Sequence, residues 1–237
     1  MKIKGGNFNE DSIPGPSEDE INPFIDKLKN QTITKHIMLN FYSGQYHDVS
    51  VVGAFCGVCK VNAAIDTQVL IDKFQVDLII LTGVAGSLND NLKFGDVVAS
   101  TEVAHHDVVP EIIIEYHPWL EHQYIKANEA LIGKCIRIIK SERLGFTCHL
   151  GRIITGETFI THQQRNILIE KHQAMCVDME SASVAQVCYV NNVPFIVIRA
   201  ISDNADSEAP ETFECNVKTA SLNSIKVVEN LLILLLN

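Results

Sequence analysis

The sequence predicts an α/β fold, a three-layer α/β/α arrangement around a central, largely parallel mixed twisted sheet. Two observations carry this. Apolar runs rich in β-branched residues alternate with longer segments of helical period, the signature of βαβ units. Several of those runs are apolar throughout, as strands covered on both faces must be, and end in a glycine or acidic turn.

Taken in order, the elements follow from local chemistry. At the N-terminus Pro14 and Pro16 each lack a backbone donor, so residues 1–19 read as an edge strand or an irregular arm. VSVVGAF (49–55) reads as a strand, VNAAIDTQVLIDKF (61–74) as a helix, and DLIILTG (77–83) as a buried strand ending in a glycine turn. DVVASTEV (96–103) is a strand, residues 108–122 a loop with some helix, and ANEALIGKCIRIIKSE (127–142) a helix. HLGRIIT (149–155) precedes a helix near 162–172, and AMCVDM (174–179) is a short strand. The helix ESASVAQVCYV (180–190), the strand PFIVIRAIS (194–202) and a final helix complete one expected domain spanning 1–237.

Composition narrows the function. Nearly half of the 237 residues are apolar, enough for a full core, and no second domain is required. With 19 basic against 29 acidic residues, the net charge of −10 repels a phosphate backbone, which argues against nucleic acid. The first twenty residues lack the apolar run of a signal peptide, and no stretch reaches membrane-spanning length without charge, so a soluble cytoplasmic protein is expected. Seven cysteines, an odd number, read as reduced thiols.

In a sheet of this kind ligands bind beyond the carboxyl ends of the strands, which singles out three places. GVAGS (83–87) lets a backbone approach a ligand closely, although such turns are often only structural, and it lacks the ending of a phosphate-binding Walker loop. Met179 and Glu180 follow the short strand; Glu180 suits a helix N-terminus, or a pair of ribose hydroxyls that one carboxylate can accept together. Asp203 closes the last strand, either as a turn or capping residue or as a partly desolvated acid able to hold a proton. The CGVC pair (56–59) and the run His105, His106, Asp107 lack the companion spacing of a metal or redox site.

Together TGVAGSL, GETFI, VDMESASVAQVC and PFIVIRAISDNAD resemble the motifs of the 5'-methylthioadenosine/S-adenosylhomocysteine nucleosidases, in the purine-nucleoside phosphorylase superfamily. The resemblance runs from about residue 20 to the C-terminus. It implies a homodimeric hydrolase of nucleoside catabolism and methionine salvage that releases adenine, with no metal or organic cofactor. It also implies roles. Asp203 is the acid that protonates the imidazole-ring nitrogen of adenine, placed by Ser202. Phe159 stacks on the purine and Ile160 reads its amino edge. Met179 and Glu180 hold the ribose, Ala85 and Gly86 line the pocket, and Val58 and Phe213 lie near the 5' thio group.

The family's water-activating carboxylate ends a short N-terminal pattern to which SIPGPSEDE (12–20) aligns without gaps, giving Glu20, with Glu18 and Asp19 as neighbouring alternatives. Three positions depart from that pattern: Pro14 and Pro16, and Ser17, which stands where a methionine is usual. Val84 replaces a serine near the attacking water, while Arg199 keeps its place. Thr82 stands where phosphorylases of the superfamily carry an arginine for phosphate, which favours hydrolysis. The alternatives are a related futalosine or 5'-deoxyadenosine nucleosidase, or a nucleoside-binding relative impaired in catalysis.

Overall fold

The structure, a computed structural model, describes residues 10–116, 120–141, 144–205 and 209–236. β1 (Asp11–Gly15) leads into α1 (Glu18–Ile25), which turns Ile21, Phe24 and Ile25 into the core. β2 (Lys29–His36) and β3 (Leu39–Tyr46) form a hairpin that the sequence reading did not contain, and β3 pairs antiparallel with β4 (Val49–Phe55). α2 (Lys60–Phe74) crosses to β5 (Leu78–Ser87), a strand buried along its whole length.

β6 (Val97–His105) is followed by α3 (Pro110–Tyr116) inside the segment expected to be a loop with some helix, then by β7 (Ile125–Lys126). α4 (Glu129–Lys140) starts where the Asn128 side chain accepts the N–H groups of Ala130 and Leu131. β8 (Cys148–Thr155) precedes α5 (His162–His172), whose start is fixed by a reciprocal Thr161–Gln164 capping box. β9 (Cys176–Asp178), α6 (Ser181–Asn191), β10 (Phe195–Asp203) and α7 (Ala209–Leu235) complete the fold. α1, α4 and α7 pack together along the sheet, and α2 and α6 pair in a second helical group.

The architecture is the expected mixed α/β one, a central sheet with helices, with strand order β10-β6-β8-β9-β5-β1-β4-β3-β2. It has one feature that a simple open sheet lacks. β5 also pairs in parallel with β10, so β5, β10, β6, β8 and β9 close into a ring.

The N-terminal expectation is corrected: residues 11–15 form an interior strand, parallel to β4 on one side and β5 on the other, and residues 18–25 are helical. Residues 1–9 lie outside the described residues. The prolines are accommodated by alternation. Glu10 gives its carbonyl to Asp77 on the β5 side and Gly15 gives its own to Cys56 on the β4 side, so even-numbered residues face β5. The ladder with β5 ends at Ser12 opposite Ile79, before Pro14 would have to supply a donor. Among the described residues, no helix is long and apolar enough to cross a membrane.

Candidate active site

Where β1 and β5 part, a carboxylate takes their place. Glu20, in the first turn of α1, is 2% exposed; its Oε1 accepts the Val84 N–H of β5 at 2.9 Å, and its Oε2 accepts the Ser17 hydroxyl at 2.6 Å. Ser17 thus holds the side chain whose position its own departure from the motif had put in question. Glu18 and Asp19 are exposed, so the carboxylate that enters the molecule is Glu20. Gly83 makes this possible: its φ of 149° favours glycine, and a Cβ there would stand 2.2 Å from Arg199 Nη1 and 2.5 Å from Glu20 Oε1.

Arg199, fully buried on β10, gathers three carboxylates. Its Nε lies 2.7 Å from Asp178 Oδ2, its Nη2 3.0 Å from Glu180 Oε2, and its Nη1 3.8 Å from Glu20 Oε1. Asp178 is the firmest of the three, accepting also from the Thr155 and Ser181 hydroxyls and from the N–H groups of Glu180 and Ser181. Glu180 further accepts the Cys59 N–H at 2.9 Å. One cation cannot balance three buried acids. Burial pushes both Glu20 and Glu180 above the ordinary glutamate value, against the opposing pull of Arg199.

Asp203 stands on the other flank of β5, at the end of β10. Its Oδ2 accepts the Ser202 hydroxyl at 2.7 Å and its Oδ1 the Ala205 N–H at 2.8 Å. Gly86 leaves it room, since a Cβ there would lie 2.6 Å from Asp203 Oδ1.

Between these groups lies a cavity of about 240 Å³ that brings together Glu20, Val58, Ala85, Gly86, Phe159, Ile160, Met179, Glu180, Ser202, Asp203 and Phe213. Of the residues proposed from sequence, Arg199 alone does not line it; it lies beneath, holding the carboxylates. Phe159 and Phe213 meet edge to face at 5.9 Å, and Val58 and Phe159 remain 44% and 46% exposed, so the mouth is apolar. Sequence reasoning missed Pro16, Thr158, Val177, Ala205 and above all Asp178. The available signal was an acid inside an apolar strand, which needs buried partners.

The other polar motifs are otherwise engaged. Cys56 is buried with its thiol pushed well up by burial, and Cys59 opens α2. Asp107 pairs with Lys60 at 2.9 Å, and His105 meets Gln186 at 3.2 Å.

The sequence profile of the phosphorylase superfamily matches residues 13–233. A 5'-methylthioadenosine/S-adenosylhomocysteine nucleosidase of Exiguobacterium sp. is 41% identical over 221 residues, covering 91% of this chain and 94% of that protein. Among solved structures, the nucleosidase of the same name from Neisseria meningitidis, in complex with methylthio-immucillin-A, superposes with a TM-score of 0.88 at 32% identity, covering 94% of this chain and 98% of that one. The Colwellia psychrerythraea nucleosidase in complex with adenine gives a TM-score of 0.87 at 34% identity, covering 96% and 95%.

Proposed function

The chain belongs to the phosphorylase superfamily and, within it, to the 5'-methylthioadenosine/S-adenosylhomocysteine nucleosidases, and from that membership we propose that it hydrolyses the adenine–ribose bond of both nucleosides. The observation that carries the reading is one cavity flanked by Asp203 on the β10 side of β5 and Glu20 on the β1 side. Cleavage sends the bonding electrons to the base and leaves positive charge on the sugar. Asp203 gives its proton to the imidazole-ring nitrogen of adenine, and Glu20 takes a proton from the water that adds to the anomeric carbon. Phe159 stacks on the purine, backbone groups of Ile160 read its amino edge, and Glu180, with lone pairs to spare, accepts from the ribose hydroxyls beside Met179. Val58 and Phe213 offer apolar surface to the thio substituent.

Water rather than phosphate is the proposed nucleophile. Among the described residues lining the cavity there is no lysine or arginine, and a phosphate needs cationic anchoring. Arg199 is committed to its carboxylates, and Thr82 gives its hydroxyl to Ser224 at 3.2 Å. Adenine release from methylthioadenosine in phosphate-free buffer tests this. The expected rate is unchanged by added phosphate; a rate that depends on phosphate, with a pentose phosphate as product, overturns it. Turnover of futalosine or 5'-deoxyadenosine alone would overturn the reading of the 5' pocket, and binding of adenine analogues without release would make the chain a binding relative.

A homodimer belongs to the same proposal. Val61 and Ile65 on α2, Val109 and Ile112 at α3, and Tyr189 and Val190 on α6 are exposed apolar residues that a second copy would cover, completing the 5' end through the loop after His106. A single nucleosidase domain acting in the cytoplasm, in methionine salvage, completes the reading.

Gly86→Ala tests the acid's placement. The added methyl collides with Asp203 Oδ1, and also with the Cβ of Ala205 at 2.8 Å, so kcat is expected to fall roughly 100-fold with the fold retained. Steady-state adenine release together with a thermal melt checks it.

A further inference from the structure

One peptide group links Asp203 to a residue outside the cavity. The Asn204–Ala205 peptide donates its N–H to Asp203 Oδ1 at 2.8 Å, and its carbonyl, on Asn204, accepts the Nε–H of Arg165 at 3.0 Å. We propose that Arg165, outside the cavity, is a positioning residue for the general acid, aiming through this peptide the N–H that fixes the Asp203 carboxyl. The proposal rests on the reading of Asp203 as the acid.

Three further observations support it. The same Nε–H is shared with the Ser87 carbonyl at 3.2 Å, and Ser87 follows Gly86, where an added Cβ would lie 2.6 Å from Asp203 Oδ1. The guanidinium therefore pins the ends of both strands, β5 and β10, that flank the acid. Ala205 has φ of 50°, a left-handed conformation unfavourable for alanine that needs a neighbour to hold it, and Arg165 grips the carbonyl just before it. Finally, Arg165 stands in the first turns of α5, whose capped start follows Phe159 and Ile160 directly. The segment facing the base and the peptide behind the acid thus share one anchor.

The physical effect has a sign. A cation on the carbonyl polarises the amide and strengthens its N–H as a donor. That N–H and the guanidinium charge both favour the ionised carboxylate. Removing the guanidinium takes away its charge and weakens that N–H, which raises the acid's affinity for its proton, so deprotonation moves to higher pH while the carboxyl loses its orientation. The ion pair of Arg165 with Asp90, 2.7 Å long, contributes little, because the Asp90 side chain is 89% exposed. The contacts with the two carbonyls carry the effect.

The test uses the full-length enzyme, with kcat and KM for adenine release from methylthioadenosine measured across pH for Arg165→Met, Arg165→Lys, Asp90→Asn and Asp203→Asn. Arg165→Met is expected to lower kcat on the order of 10- to 100-fold with KM little changed, and to move the basic limb of the kcat profile to higher pH. Arg165→Lys, which keeps the charge but loses the planar fork, is expected to restore the limb more than the rate; Asp90→Asn is expected to match wild type. A merely structural tie would lower the melting temperature and leave kcat and its pH profile unchanged in the folded variant, and that result overturns the proposal. Should Arg165→Met fail to fold, Arg165→Lys with wild-type kcat and an unmoved limb overturns it equally. An inactive Asp203→Asn beside a wild-type-like Arg165→Met sinks the role of Arg165 alone, whereas a fully active Asp203→Asn sinks the reading of the site.

Discussion

Asp203→Asn is expected to reduce kcat for adenine release by about 100- to 10,000-fold, the range supplied by one positioned general acid. The substitution preserves shape, and an amide oxygen can still accept the Ala205 N–H that Oδ1 now accepts. What it removes is the proton. The contacts proposed for the purine at Phe159 and for the ribose at Glu180 do not involve that proton, so KM is expected to change far less than kcat. Full activity in this variant, measured by adenine release with a matched thermal melt, would leave the mechanism without an acid.

Glu20→Gln is expected to cause a loss of similar size, while Glu18→Gln stays close to wild type, because Glu18 is exposed and Glu20 lies in the cavity. Glutamine keeps an oxygen for the Val84 N–H but takes no proton from water. The pH dependence follows with a definite sign. A base works ionised, and burial raises the pKa of Glu20 above the ordinary glutamate value, so with Glu20 as the proposed base kcat/KM is expected to fall with falling pH sooner than an ordinary glutamate would require. Glu180 is raised by the same burial and shares Arg199, so the limb belongs to the pair rather than to either acid. Comparing profiles of the two variants checks this: the limb should be unchanged in Glu18→Gln and altered in Glu20→Gln, where Glu180 alone of the pair still titrates. Equal profiles would point to another base.

What was legible in the sequence had a local cause. The strand at 49–55 occurs with the bounds read from its apolar run, and the helix read near 162–172 is there, its start fixed in the structure by the Thr161–Gln164 capping box. The cavity residues could be collected because they follow buried strands and stand in motifs that resemble one family. Non-local features were not legible. The β2–β3 hairpin turns through Ile37 and Met38, both at positive φ, where no glycine or asparagine announces a turn, and β2 is polar and largely exposed. Pro14 argued against an interior strand because the sequence does not reveal which neighbour each residue faces. Asp178 read as part of a strand, since its partners Thr155 and Arg199 come from distant strands.

The parting of β1 and β5 bears on how this fold can be improved. Past Ser12 and Ile79 the seam between two strands is sealed by a side chain rather than by backbone, and the amide at Val84 is bound to Glu20. A sequence that restored the ladder would gain stability and leave no berth for a base. Selection for thermal resistance alone would therefore press on the region that the proposed chemistry needs open, and hardening this protein safely means reinforcing it elsewhere.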